Sequence, residues 1–375
     1  MDSTKVVLFT FLGNFHYDSR VTNFYNSFIE KGYKVKVISF DWLTKEFKTE
    51  KGDISVYRLT KNFSSIYYYL KFSIILSFRL LFTKADLIFA EDVYTLPFVI
   101  LFAKLKKAKI CYDSREIYAH LAGLSNKKNI QMFWRWIEKT FIKSVDVVIT
   151  TGEMDSAYLE KEYNLRATIV IRNLPLANKI IESFDYRKKY NLENDKKILL
   201  YQGVILPGRG LNNIFNIMDQ LENCVLIILG DGEYEEKCRQ IVREKKLTNK
   251  VFFFGKVTQN ELLKYTSGAD IGLALIENLS LSYYYALPNK MFEYIYCGLP
   301  VIASNLPQMK AVIEKYNVGL CVNSEDSSEI KSVINMVASD DKYRKKLSAN
   351  CKVASHELNW NNEIKKLFRV FETNT

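Results

Sequence analysis

The stretch PNKMFEYIYCGLPVIAS, residues 288–304, places a polar helix start, one acid on an otherwise apolar helix and a Gly-Pro break into a buried strand in direct succession. Asn289 and Lys290 follow Pro288 where a helix begins, so free backbone N–H groups and the positive end of the dipole point to one place, a ready seat for a diphosphate. Glu293 lies one turn further on. Its carboxylate can accept two hydrogen bonds from a ribose diol, while Met291, Phe292, Ile295 and Tyr296 are expected to pack inward. Gly298-Leu299-Pro300 then stops the helix, and VIAS is a short apolar strand of the kind found in parallel sheets. Taken alone, the pattern is equally that of an ordinary amphipathic helix with one solvated acid.

Outward from this stretch the chain is α/β throughout. Apolar strands KVVLFTFL, KVKVISF, DLIFA, KICYD and VDVVITT alternate with helical patterns up to about residue 175. A second series, KILLYQG, VLIILGDG, VFFFG, IGLALI, PVIAS and GLCV, alternates with helices from Leu211 to about residue 355. Two doubly wound parallel sheets follow from that order, and 375 residues at 48% hydrophobic content suffice for two cores. The expected domains are residues 1–175 joined by a C-terminal helix at 359–375, and residues 176–358. Residues 173–192 read as a linker containing the helical pattern NKIIESFDYRKKY.

The six cysteines stand singly with no CxxC pair, the pattern of reduced structural thiols in a cytoplasmic protein. The N-terminus carries an acid before its apolar run and reads as a first strand, not a signal peptide. Net charge is +11, with 26 Lys+Arg against 18 Asp+Glu in residues 1–175 and 27 against 24 in the rest. In the first half the cations are interleaved with aromatics, at residues 65–82, 97–109 and 132–143. Lys71 and Arg79 interrupt the first of these runs, leaving fewer than the roughly 20 apolar residues a bilayer span takes. The alternatives are helices lying at an anionic membrane surface, which would make the protein peripheral to the inner face of a membrane, and core helices with snorkelling cations. The basic residues form no single stripe and no nucleic-acid-binding module is present, so nucleic acid is not an expected partner.

Four further motifs keep company with PNKMFEY: FHYDSRV at 15–21, YDSREIY at 112–118, VIRNLP at 170–175 and LGDGE at 229–233. Together, and in this order, they resemble the retaining GT-B glycosyltransferases of family four, glycosyltransferase group 1, in a variant marked by PNK-x-FEY. The resemblance covers nearly the whole chain. It implies two Rossmann-like domains facing a central cleft, the first for the acceptor and the second for the donor, with a C-terminal helix crossing back to the first. It further implies transfer of a hexose from a nucleoside diphosphate sugar to a glycan or lipid-linked glycan in surface polysaccharide assembly, with retention. No cofactor is expected. The chain has no DxD after an apolar strand, and its cations are available to neutralise a leaving diphosphate, so a metal-independent reaction is the expectation.

Ligands of such sheets bind beyond the carboxyl ends of the strands, which assigns the site residues. In YQGVILPGRGL, Gly203 ends a strand and Arg209 stands with Gly210 at a helix start, where its guanidinium can grip a diphosphate bidentately. Relatives usually carry one cation just after the first Gly; here Val204 replaces it, which shifts weight to Arg209 and Lys290. In LGDGE, Gly230 is expected to let the donor approach and Asp231 to cap the next helix, though a lone GxG is a weak signal. The turn at Val257 resembles one whose main chain reads the nucleobase. In the first domain, Gly13 could seat a phosphate or simply turn the chain, and Arg20 could face the cleft or pair with Asp18.

Relatives commonly have His where Glu91 stands, so Glu91 or Asp92 is the expected proton acceptor, with helix capping or ion pairing as the alternative. Asp113, Arg115 and Glu116 form a charged cluster after KICYD that could hold the acceptor. Many relatives carry two glutamates eight positions apart, but eight before Glu293 is Tyr285, so Asn289 and Lys290 are the expected substitutes in donor recognition. Two other readings stay open: a catalytically silent GT-B subunit, and a nucleotide-sugar epimerase, for which only His16, His120 and His356 could serve.

Overall fold

The computed structural model describes residues 4–42, 52–60, 64–177 and 182–373. The chain divides into two compact units, Met1–Asn173 with Ile364–Thr375, and Leu174–Glu363.

The first unit holds strands β1 (Val6–Thr10), β2 (Lys34–Asp41), β3 (Ile54–Arg58), β4 (Leu87–Ala90), β5 (Lys109–Ser114), β6 (Val147–Thr150) and β7 (Ile169–Val170). They form one sheet in the order β3-β2-β1-β4-β5-β6-β7, with every pair parallel. The winding reverses between β1 and β4, whose last residues Thr10 and Ala90 are register partners. In such a sheet that reversal is where ligands bind.

The second unit repeats the plan with β8 (Lys197–Gln202), β9 (Cys224–Leu229), β10 (Val251–Gly255), β11 (Ile271–Ala274), β12 (Val301–Ser304) and β13 (Gly319–Val322). Its order is β10-β9-β8-β11-β12-β13, again all parallel, and the winding reverses between β8 and β11. Both faces are covered. Leu199, Tyr201, Leu226 and Ile228 belong to one core layer and Ile198, Leu200, Val225 and Ile227 to the other. Alternate side chains of a strand point to opposite faces, so a strand buried on both must be apolar at every position.

Two strands escape the sequence reading. β3 is an edge strand with only Val56 buried, and β7 is two residues long, so neither makes an unbroken apolar run. Within the linker pattern at 178–190, residues 178–181 lie outside the described residues, and the described part holds the short helix Tyr186–Tyr190. The C-terminal helix is Trp360–Thr373, in which Phe368 packs edge-on against Phe28 at 5.1 Å.

The helix of the opening stretch is Asn289–Tyr296, and it buries Met291, Phe292, Tyr294 and Ile295. Tyr294 takes the inward place expected of Tyr296. The strand opposite explains the exchange: a Cβ on Gly272 of β11 would lie 2.3 Å from the Tyr294 ring, so the missing side chain makes the socket.

Candidate active site

In the second unit the site is built at the β8–β11 reversal. Gly203 leaves β8 at φ +118°, a conformation that favours glycine, and starts a loop running to Gly210. Four hydrogen bonds fix that loop: Gly203 N–H to Leu229 O at 2.9 Å, Ile205 N–H to Asp231 O at 2.8 Å, Tyr201 O–H to Val204 O at 2.8 Å and Glu277 N–H to Gly208 O at 3.0 Å. Arg209 extends from it with its guanidinium carbon 4.7 Å from the Tyr283 ring centroid, and Val204 is exposed.

Helix Asn289–Tyr296 starts beside this loop. Pro288 is its N-cap and provides no side-chain cap, so the first N–H groups of the helix remain available to a ligand. Lys290 reaches back across Gly203: a Cβ there would touch its Cε and Nζ at 3.6 Å. Its Nζ stands 3.8 Å from the Tyr201 ring centroid. Burial, and then the nearby charge of Arg209, hold the Lys290 ammonium well below the usual lysine range, with Glu293 pulling the other way. Among the described residues neither Lys290 nor Arg209 has a carboxylate within ion-pair distance. Two cations crowded together with no carboxylate in ion-pair contact make a site for an anion.

Glu293 accepts a hydrogen bond from Gln202 Nε2, and Thr266 O–H donates to Gln202 Oε1 at 2.7 Å. Burial raises the Glu293 carboxyl to about 7, against the lowering influence of Gln202, Lys290 and Gln259. Tyr294 locks the frame. Its hydroxyl accepts from Gln202 N–H at 3.0 Å and reaches the carbonyls of Leu200 and Leu273 at 3.1 and 3.3 Å, joining β8 to β11 where the winding reverses. Neither Gln202 nor Tyr294 was singled out from sequence. The available signal was the polar Gln202 closing the otherwise apolar strand KILLYQ.

Several expectations change. A Cβ on Gly230 would lie 2.1 Å from Gly203 O, so the neighbouring loop by itself requires this glycine. Asp231 caps no helix: the next one, Glu235–Glu244, has Tyr234 as its N-cap. Val257 is half-buried against the core just past Gly255, and Asn289 is exposed at the helix start.

In the first unit, Arg20, Asp113, Arg115, Glu91 and Asp18 form one network at the carboxyl ends of β4 and β5. Arg20 is buried, donating to both oxygens of Asp113 at 2.5 and 2.7 Å and to Ile171 O at 2.7 Å. Arg115 donates to Asp18 and to Glu91 Oε2, each at 2.5 Å. Arg20 and Asp113 therefore spend their hydrogen bonds inside the domain, which corrects their assignment to an acceptor. Asp92 is corrected likewise: it accepts from Leu12 N–H at 2.5 Å and Thr95 N–H at 2.8 Å, tying the β1 loop to the turn after β4. Glu91 differs, since its Oε1 is buried with no protein partner. Burial raises its carboxyl to about 8 although Arg115 pulls it down. The Gly13 carbonyl accepts from Phe40 N–H at 3.0 Å, and a Cβ on Gly13 would crowd the Phe11 ring at 2.9 Å. Glu116 is exposed.

Comparison with known proteins agrees with this geometry. Residues 182–353 match the family model of glycosyl transferases group 1, and residues 19–174 match that of Glycosyltransferase Family 4. Each half of the chain is thus similar to a glycosyltransferase domain, the second to that of group 1. Chitobiosyldiphosphodolichol beta-mannosyltransferase of Debaryomyces hansenii is 22% identical over 97% of this chain and 88% of its own. Among solved structures, sucrose-phosphate synthase of Thermosynechococcus elongatus superposes with a TM-score of 0.81 at 18% identity, covering 98% of both chains. Anabaena HepE in complex with UDP-glucose gives a TM-score of 0.72 at 15% identity, covering 98% of this chain and 99% of that one. The fold is thus GT-B.

Proposed function

We propose that this glycosyltransferase is a cytoplasmic enzyme that moves a hexose from a nucleoside diphosphate sugar to a glycan or lipid-linked glycan of a surface polysaccharide, retaining the anomeric configuration. The observation that carries the reading is the pair of uncompensated cations, Arg209 and Lys290, at an uncapped helix start one turn from Glu293. Arg209, Lys290 and the first N–H groups of helix Asn289–Tyr296 hold the diphosphate. Glu293, positioned by Gln202, takes the ribose diol, and the main chain at Val257 meets the base. Neutralisation of the leaving group falls to the two cations, with no metal in the reaction. The UDP-glucose bound to HepE supports a nucleotide-sugar donor, and the diphosphodolichol acceptor in the name of the fungal relative supports a lipid-linked one.

In the step proposed, the bond from the anomeric carbon to the diphosphate breaks with its electron pair going to phosphate, and the acceptor oxygen bonds to that carbon from the same face. Burial favours the neutral form of Glu91 against the pull of Arg115, and its unpartnered Oε1 is the atom that meets the acceptor hydroxyl. The acceptor proton passes to the departing phosphate oxygen. Retention rests on the resemblance of the PNKMFEY segment to retaining enzymes.

Incubation with a panel of labelled nucleoside diphosphate sugars and a polyprenyl-diphosphate-linked glycan tests the reading. Transfer of label, with a product whose anomeric proton coupling matches the donor, is the expected result. Donor binding without turnover would make the chain a silent binding subunit, and failure to bind any nucleotide sugar would end the proposal.

A further inference from the structure

Helix Lys128–Phe141 buries an acid and exposes large apolar side chains. Its one buried residue is Glu138, whose carboxylate accepts from the hydroxyls of Tyr112 at 2.5 Å, Tyr163 at 2.8 Å and Ser114 at 3.3 Å. Its apolar residues divide: Trp134, Ile137 and Phe141 are half-buried, Trp134 against the Tyr94 ring at 4.7 Å, while Met132, Phe133 and Trp136 are exposed, Trp136 by 60%. Helix Leu96–Lys106 packs against it and exposes Leu101 and Leu105. Helix Ser65–Phe82 packs on that helix in turn and has two apolar faces. Tyr68, Phe72, Leu76 and Leu80 are buried in the core, while Ile66, Leu70, Ile74 and Phe78, spaced every four residues on the opposite side, are exposed.

Such a contiguous exposed apolar face marks an interaction site, because monomeric soluble proteins rarely carry one of this extent. Its electrostatics select the occupant. Residues 64–85 and 93–112 contain no acid, and in 117–144 the one acid is the buried Glu138, while Lys104, Lys107, Lys128 and Lys139 are exposed. An apolar face rimmed by cations fits hydrocarbon below anionic headgroups. Ser65–Phe82 is long and apolar enough to cross a membrane by length and composition. Its second stripe is committed to the core, and it carries Lys71 and Arg79, so it lies along a bilayer and does not pass through it.

We propose that the outer faces of these three helices form a monotopic docking surface for an anionic lipid bilayer, with Trp136 seated at headgroup depth. This goes beyond the donor site and is read without nucleotide sugar. The test is co-sedimentation of the full chain with vesicles of phosphatidylcholine alone or with one quarter phosphatidylglycerol, at low and high salt, together with tryptophan quenching by brominated lipid. The protein should sediment with the anionic vesicles at low salt, be released by salt, and show quenching that Trp136→Phe removes. Reversing charge at Lys104→Glu with Lys139→Glu should lower partitioning at least about tenfold, since each cation near the surface contributes to binding. Should that double variant fail to fold, salt release and the quenching lost in Trp136→Phe decide the question alone. A protein left in the supernatant with anionic vesicles at low salt overturns the proposal, as does a stable dimer that hides Trp136 from an aqueous quencher.

Discussion

Lys290 Nζ stands 3.8 Å from the centroid of the Tyr201 ring, held over the bare backbone of Gly203. The ring face offsets part of the cost of desolvating the ammonium, yet burial and Arg209 still hold its pKa well down. A bound diphosphate reverses that balance by supplying the missing anion. The ammonium is therefore already in place when the donor arrives, and the diphosphate itself restores its full charge where the leaving group needs it.

Removing either cation should accordingly cost catalysis more than folding. Arg209→Ala and Lys290→Ala are each expected to lower turnover by about 100-fold or more, the usual loss for one preorganised electrostatic contact. Both proteins should keep melting temperatures near the parent value. Near-native turnover in Arg209→Ala would place the phosphate elsewhere.

Glu293 makes a prediction that couples binding to stability. Its folded pKa of about 7 lies above the ordinary carboxyl value of about 4.5, so the stability of its neutral form is fully present below about 4.5 and is lost as pH rises through about 7. Glu293→Gln removes that loss. Thermal melts should show the variant gaining on the parent between pH 5 and pH 8. Calorimetry should at the same time show nucleoside diphosphate binding weakened by about 1–3 kcal/mol, the cost of losing a charge-assisted hydrogen bond. Unchanged affinity would remove Glu293 from the ribose.

The sequence made the fold legible because strands covered on both faces are largely apolar, and eleven largely apolar runs stand in the order two doubly wound sheets require. The edge strands β3 and β7 lacked that signature. At the site, Arg209, Lys290 and Glu293 were readable since each is a charge at a strand end or helix start. Gln202 and Tyr294 were not, because their importance comes from pairing across 92 residues of chain. The charged motif at Asp113 and Arg115 was legible as a cluster, but which charges were spent internally was not: an Arg at position 20 and an Asp at position 113 carry no mark in sequence that they will pair.

Tyr294 is the fastener of the donor-side frame. Tyr294→Phe leaves the ring in the Gly272 socket but strands Gln202 N–H without its partner, so a loss of about 1–3 kcal/mol is expected in urea unfolding. Gly272→Ala should be worse, since its Cβ would lie 2.3 Å from that ring. A Phe variant as stable as the parent would mean that the hydroxyl contributes nothing to holding β8 against β11.

Arg20 and Asp113 separate an acceptor role from a structural one. The pair is buried and bidentate, with the third guanidinium nitrogen on Ile171 O, so it ties the helix Ser19–Glu30 to the end of β5 and to the chain leaving β7. Asp113→Asn leaves a buried cation facing a neutral amide, and truncating one partner of such a pair typically costs about 3–5 kcal/mol. Arg20→Met should cost a similar amount. Replacing both, with Arg20→Met and Asp113→Leu, should return much of the loss, because apolar groups need no counter-charge. If the pair instead gripped the acceptor, the double variant would fold as well as the parent and lose activity through a raised KM. We expect the reverse order of events: the single variants unfold early in urea, the double variant recovers, and the KM for acceptor in the recovered protein stays within about threefold of the parent, a difference of under 1 kcal/mol.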